Sequence, residues 1–345
     1  MTISIHEIIA HLSAGRHLSR EHMREIFELI MTGRVEPGPM GDFLKALASK
    51  GETVDEIAGA ADVMNEKVTR VRCDADCIDT CGTGGDRIST LNVSSTAAII
   101  AAAAGAVVAK HGNRTNTRIS GSAEVFAALG VNLDAPVPVL ERCLRDCGIA
   151  FLYAPNLHPA MRYAGPVRKQ LGIRTIFNYL GPFTNPAGAR RQVMGVARPE
   201  MTETLAGVLA ARGATLAWVV TGYTGVADHP YLCDITITGN TKVSEVRNGQ
   251  VRTFTINPSD VGFDMAPLDS LLIDSVQASA DAVLAILSGR DQGPRRQHAL
   301  LNAGAALVVA GLAPDLPAAI AKAAQTLDSG AAMAKLEQLV RTSKA

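Results

Sequence analysis

The sequence predicts an α/β fold in two parts: a small all-helical domain and a larger α/β domain with a mostly parallel central sheet. Three observations carry the expectation. Residues 1–72 hold apolar patterns of helical period and no strand-like run. From Cys77 onward, short apolar runs of strand type alternate with helical runs. Glycine clusters sit where those strands end, as at 82–85.

Taken in order, Ser19 is an N-cap for a helix over 20–31, where Met23, Ile26, Phe27 and Ile30 share one face. Residues 33–40 contain glycines and prolines and read as a connector. Thr53 caps the helix that follows. Residues 77–85 read as a strand running into a glycine turn. Residues 95–105 read as a helix capped by Ser95 or Thr96 and closed by Gly105. Next come a buried strand over 106–112 and a helix ended by Gly130. Further strands are expected at 149–155, 191–197 and 216–222, with a helix over 201–213 and two more over 298–311 and 316–330. Such alternation places helices on both faces of a parallel sheet. Residues 158–186 are helix-like, punctuated by Pro166, Pro182 and Pro186. The expected domains are therefore 1–72, with 165–190 crossing back to it, and 73–164 joined to 191–345. A cleft between them is where a small-molecule site belongs.

Composition narrows the function. The 33 basic and 33 acidic side chains cancel, which argues against nucleic acid or a membrane surface as a partner. No run is long and apolar enough to span a bilayer, and the first twenty residues lack a signal-peptide pattern. The expected location is the cytoplasm. The six cysteines form no disulfide framework. Cys73, Cys77 and Cys81 are read as reduced thiols splayed apart along a strand. Cys143 and Cys147 are read as half-buried packing residues on a helix.

Three segments are suited to anions. Gly82-Thr83-Gly84-Gly85-Asp86 follows a strand, so its backbone N–H groups can approach phosphate oxygens. It is neither GxGxxG nor a P-loop. Thr90-Leu91-Asn92-Val93-Ser94-Ser95-Thr96 opens a helix, where free N–H groups and the helix dipole favour negative charge. Lys110-His111-Gly112-Asn113-Arg114, with Arg118 and Ser122 beyond it, puts four basic or imidazole side chains within nine residues. Converging at the carboxyl ends of parallel strands, these segments imply a ligand with several phosphates. No GxSxG elbow occurs, and His111 and His158 have no local triad partners. No residue stands out as a nucleophile or as a conventional acid or base. That suits displacement of pyrophosphate from an activated sugar, where charge placement, a metal on the leaving group and exclusion of water do most of the work.

At these residues the chain resembles the anthranilate phosphoribosyltransferase family, within the nucleoside phosphorylase-like phosphoribosyltransferases. The resemblance also takes in Ser120–Ala123, His158–Met161, Gly165–Arg168, Gly181–Pro186 and Leu301–Ala305, in one order over nearly the whole chain. It implies a homodimer that moves a phosphoribosyl group from phosphoribosyl pyrophosphate to anthranilate with Mg2+, in tryptophan biosynthesis. It implies that Gly82, Gly85, Asp86, Thr90, Asn92, Val93, Ser94, Ser95, Lys110, His111, Gly112, Asn113, Arg114, Arg118 and Ser122 hold phosphoribosyl pyrophosphate. Gly82, Asn113, His158 and Arg168 would meet anthranilate, with the guanidinium opposite its carboxylate. Ser94 and Asp234 would hold the metal.

Two departures from the family pattern stand out. An Asp-Glu metal pair is expected after the strand over 216–222, yet Asp234 is followed by Ile235, and Asp228 is a second carboxylate candidate in a longer 223–234 loop. Thr115-Asn116-Thr117-Arg118 replaces small residues and adds a positive charge. These leave open a different arylamine or heteroaromatic acceptor, or a non-catalytic nucleic-acid-binding or regulatory homologue. The neutral charge disfavours nucleic acid, and Arg168 with the whole-chain match disfavours a nucleoside phosphorylase.

Overall fold

The computed structural model describes residues 4–115 and 117–345; Met1, Thr2, Ile3 and Asn116, the last within the departing segment 115–118, lie outside the described residues.

Four helices come first: α1 (Ile5–Ser13), α2 (Arg20–Met31), α3 (Pro37–Lys50) and α4 (Val54–Glu66). The Ser19 hydroxyl accepts from the His22 N–H, and Thr53 and Glu56 cap each other reciprocally at the start of α4. The apolar face of α2 buries Met23, Ile26, Phe27 and Ile30. The expected connector over 33–40 stops at Glu36, because α3 begins on Pro37. Proline at a first helical position gives up no hydrogen bond and arrives with its φ already set.

The α/β part follows as β1 (Ile78–Gly82), α5 (Val93–Ala103), β2 (Val108–Gly112), α6 (Ser122–Ala128), α7 (Val137–Arg142), β3 (Ile149–Tyr153), α8 (Ala154–Leu157), α9 (Met161–Leu171) and α10 (Phe177–Leu180). Then come β4 (Arg191–Gly195), α11 (Thr202–Ala211), β5 (Leu216–Tyr223), β6 (Tyr231–Leu232), β7 (Thr241–Arg247) and β8 (Gln250–Ile256). Four helices close the chain: α12 (Val276–Leu287), α13 (Pro294–Val309), α14 (Leu316–Asp328) and α15 (Ala331–Ser343). Strand order is β3-β2-β1-β4-β5-β7-β8, with β6 beside β5. The first five are parallel; β6 and β7 pair antiparallel with β5, and β8 pairs antiparallel with β7. Successive strands build outward from β1 through β2 to β3, then the chain returns to lay β4 on the other side of β1. That reversal opens a crevice at the carboxyl ends of β1 and β4, where α/β proteins bind ligands.

Side chains of β4 and β5 alternate between two cores. Val193, Trp218 and Val220 join the cluster that contains α5 and α13. Met194, Ala217 and Val219 join the cluster formed by α2, α3, α4 and α11. The helical bundle therefore rests on one face of the sheet. Ala164 and Val167 of α9 and Phe177 of α10 enter that same cluster, so the proline-punctuated segment lies against the bundle.

Several local expectations are corrected. Helix α5 starts at Val93 with Asn92 at its N-cap, so Ser95 and Thr96 are interior helical residues rather than caps. Cys143 and Cys147 are fully buried, on a single π turn after α7. The Cys73 and Cys77 thiols are neighbours, not splayed; burial first and the Cys73 thiol second push the Cys77 thiol far up. The β7–β8 hairpin went unanticipated, although Asn248 and Gly249 between its strands are both left-handed (φ 52° and 76°), as such a tight turn requires.

Strand β1 pairs with β4 so that Gly82 stands opposite Gly195. A Cβ on Gly195 would overlap the Cys233 carbonyl, so the chain after β6 passes directly over β4. Gly195→Ala is expected to cost about 1–3 kcal/mol of stability by overpacking. Urea unfolding measures it, and a wild-type midpoint would show that the 233–235 segment yields freely.

Candidate active site

The crevice at the β1–β4 carboxyl ends is a cavity of about 960 Å3 between the sheet and the helical segments. Two ends can be told apart by their chemistry.

At one end the glycine loop, the start of α5 and the end of β2 meet. Gly84 and Gly85 are left-handed (φ 62° and 89°). A Cβ on Gly85 would overlap the Arg174 guanidinium, which reaches to the Gly84 carbonyl. Lys110, on β2, is 1% exposed and points its Nζ at the Thr80 carbonyl and, at 3.4 Å, the Ser94 hydroxyl. Burial lowers the Lys110 pKa, and the Asp79 charge opposes that. Asn92 is a tie between elements: its Oδ1 accepts from the hydroxyls of Ser120 and Ser279, each at 2.7 Å. Ser122 donates to the Asn113 carbonyl at 3.3 Å, and Gly112 leaves the space the Ser122 hydroxyl occupies. Arg114 stands at the rim with Nε on the Tyr153 hydroxyl.

The carboxylates of this end are paired. The Arg118 guanidinium grips Asp86 with both Nε (2.6 Å) and Nη2, and its Nη2 lies 3.9 Å from Asp234. Asp86 also accepts from the Cys233 N–H at 3.1 Å. Burial pushes the Asp234 carboxyl up to about 6, with Arg118 pulling the other way.

Elsewhere in the lining His111 and His158 pack against each other, ring centroids 5.0 Å apart, and Arg168 lines the same cavity. With Nδ1 of His111 donating to the Gly181 carbonyl (3.2 Å), its Nε2 accepts from Nε2–H of His158 (3.0 Å), an assignment set by the hydrogen-bond network. Burial pushes His111 down to about 3, with His158 adding to the effect, and pushes His158 down to about 4. Both rings are neutral. Arg168 lies 5.1 Å over the Phe177 ring, and burial lowers its pKa.

Gly82, Gly85, Asn92, Val93, Ser94, Lys110, His111, Gly112, Asn113, Arg114, Arg118, Ser122, His158, Arg168 and Asp234 all line the cavity. Thr90 and Ser95 do not. Thr90 is buried in a bridge to Leu272, and Ser95 faces the core from within α5. Asp86 is wholly buried behind Arg118 and meets the cavity only through it. Asp228 is exposed on the loop before β6 and lies outside the cavity lining. Ile235 is buried in the core, its N–H and C=O bracketed by the Asn302 side chain. The side chains that face the cavity here are Cys233 and Asp234, one position before the expected pair. The pattern had missed Arg174, Arg87 and Asp79. The first two carried no phosphate motif, and Asp79 sits inside a strand.

Among the described residues no group of three or more His, Cys, Asp or Glu side chains forms a metal cage, and no helix is long and apolar enough to cross a membrane. The Asp234 carboxylate and Ser94 hydroxyl are hard oxygens. Magnesium characteristically takes one or two carboxylates and completes its shell with substrate phosphates and water. The donors fit that mode of binding.

Comparison with known proteins agrees with the architecture. Residues 6–68 match the helical bundle domain of a glycosyl transferase family, and residues 74–333 match its a/b domain. An anthranilate phosphoribosyltransferase of Anaeromyxobacter sp. is 50% identical over 337 residues, 97% of this chain and 98% of that protein. One from Chloroflexus aurantiacus is 47% identical over 343 residues, 99% of each. Among solved structures, the Thermus thermophilus anthranilate phosphoribosyltransferase superposes with a TM-score of 0.90 at 36% identity, covering 98% of this chain and 99% of that one. The Saccharomyces cerevisiae enzyme, described in complex with PRPP and Mg, superposes with a TM-score of 0.88 at 25% identity, covering 99% of this chain and 98% of that one.

The histidine pair makes a pH prediction. A histidine held neutral in the folded state adds stability above its unfolded pKa of about 6.5, and this is lost as pH falls toward the folded value. The rings at about 3 and about 4 should therefore destabilise the fold from pH 6.5 downward. Buried Asp79 and Asp234, both raised to about 6, act in the opposite direction between about pH 4 and 6. The histidine part is read as a difference between wild type and His158→Gln in urea unfolding from pH 7 to pH 4.5. The variant should lose less stability on acidification, by up to about 1.4 kcal/mol per pH unit. Parallel curves would mean that His158 takes up its proton as readily in the fold as in the unfolded chain.

Proposed function

The chain belongs to the glycosyl transferase family and, within it, to the anthranilate phosphoribosyltransferases, and from the two-ended cavity we infer how its residues divide the work. The protein transfers the phosphoribosyl group of phosphoribosyl pyrophosphate to the amine of anthranilate, giving N-(5-phosphoribosyl)anthranilate and pyrophosphate in tryptophan biosynthesis. The observation that carries the division is the contrast between the ends: a glycine loop with buried Lys110 at one, and Arg168 desolvated over the Phe177 ring at the other.

In this reading the diphosphate lies on Gly82–Gly85 and the first turn of α5, with Lys110 and Arg174 beside it. The bond from the sugar C1 to the pyrophosphate oxygen breaks as the amine nitrogen forms its bond to C1, and the nitrogen then gives up one proton to the released pyrophosphate or to water. The developing positive charge lies on the sugar and the negative charge on the leaving group. Fixed cations near the departing oxygens stabilise that separation without reorganisation. Anthranilate turns its carboxylate to Arg168 and its amine toward the sugar. The two histidines stay neutral, so they add no positive charge beside the oxocarbenium-like carbon. Magnesium, when bound to Asp234, Ser94 and the substrate's phosphates, would neutralise the diphosphate and ease its departure. Two copies of the chain would form the working homodimer, which light scattering checks by molar mass.

Two outcomes are expected. Calorimetry should give tight binding of phosphoribosyl pyrophosphate only with Mg2+ present, since Lys110 and Arg174 beside the diphosphate offset only part of the repulsion among its phosphates; equal affinity without the metal would remove the ion from the binding step. Arg168→Ala should cost on the order of 2–5 kcal/mol in kcat/KM for anthranilate while leaving the phosphoribosyl pyrophosphate Kd unchanged. Unchanged anthranilate kinetics would exclude Arg168 from the acceptor site.

A further inference from the structure

The Asp86–Arg118–Asp234 group is a closed set. Arg118 comes from the loop after β2, Asp86 from the glycine loop after β1, and Asp234 from the segment after β6. The Arg118 side chain is 14% exposed, Asp86 0% and Asp234 9%. A guanidinium presents a planar fork of donors that matches both oxygens of one carboxylate, and this one is used in full on Asp86. Both Asp86 oxygens are engaged by Arg118, and Oδ2 also takes the Cys233 N–H. Burial alone would lower the Arg118 pKa, but the adjacent Asp86 charge more than offsets this, so the guanidinium keeps its proton.

We propose that Arg118 is a resident cation that closes this carboxylate pair, so that the substrate-free protein has no standing divalent-cation site and takes up its ion only together with the diphosphate. Two carboxylates about one spot offer a hard divalent cation oxygen ligands and negative charge. Here that spot is filled by a covalently attached charge. Asp234 alone, facing a guanidinium, is too little to hold an ion; the phosphate oxygens must bring the missing negative charge. The inference rests on reading this end of the cavity as the diphosphate end.

The test is Mn2+ binding, followed by electron paramagnetic resonance, to full-length protein without substrate. The wild type should bind no stoichiometric ion, and phosphoribosyl pyrophosphate should create one Mn2+ site per chain. Arg118→Ser frees both carboxylates and should bind one Mn2+ per chain without substrate, at least about tenfold tighter than wild type. Arg118→Ser combined with Asp234→Asn should lose that site. Arg118→Lys keeps the charge and should stay closed. A wild type that already holds one tight Mn2+ per chain overturns the proposal whatever the variants do. So does a folded Arg118→Ser that binds Mn2+ no better than wild type. Failure of phosphoribosyl pyrophosphate to create any site would instead count against the diphosphate reading itself.

Discussion

A single buried carboxylate organises the cavity. Asp79 lies inside β1 with no solvent exposure, accepting from the His111 N–H at 3.1 Å and from the Asn185 amide at 2.8 Å, while that same amide nitrogen also reaches the Ala109 carbonyl at 2.8 Å. Burial pushes its pKa up to about 6, with Lys110 the largest opposing influence. An isolated charge in such a place would be intolerable; here it is shared among two hydrogen bonds and a buried ammonium. The effect is to lock the end of β2. Strand alternation then sends Lys110 toward the glycine loop and His111 toward His158. The two chemistries of the cavity therefore hang on one residue that never touches it.

The neutral whole conceals a strongly uneven charge distribution. Arg87, Arg114, Arg118, Arg162, Arg168 and Arg174 all face the cavity, whereas Asp234 is the carboxylate among its lining residues. A local field of this kind attracts a small polyanion over a short range. Arg87 adds a backbone oddity, a left-handed φ of 60° directly after the glycine loop, where an L side chain is uncommon.

Much of this was legible beforehand because it is written in local chemistry. Ser19 and Thr53 cap the helices expected of them, the glycine loop does follow a strand, and Lys110, His111 and Gly112 do end one. What escaped was set by neighbours distant in sequence. Whether Asp234 or Ile235 faces the cavity is a one-residue matter of register, decided by Asn302 on α13 bracketing the Ile235 backbone. Thr90 and Ser95 look the same as Asn92 and Ser94 along the chain, yet an extended bridge and a helical turn rotate them into the core. Arg174 carries no motif; it matters because the glycine at position 85 leaves room for its guanidinium. Pro37, within the segment that reads as a connector, is the first residue of α3.

Arg168 and Arg174 have a further effect on the protein's life outside catalysis. Arg168 is desolvated over Phe177, and Nε and Nη2 of Arg174 are buried without hydrogen-bond partners among the described residues. Groups left in that condition weaken the empty fold, and ligands that satisfy them return the difference as stability through mass action. On the reading given to the two ends, the molecules that the protein consumes also shelter it from proteases. Its abundance in a cell would then rise and fall with the supply of its own substrates, with no regulator needed.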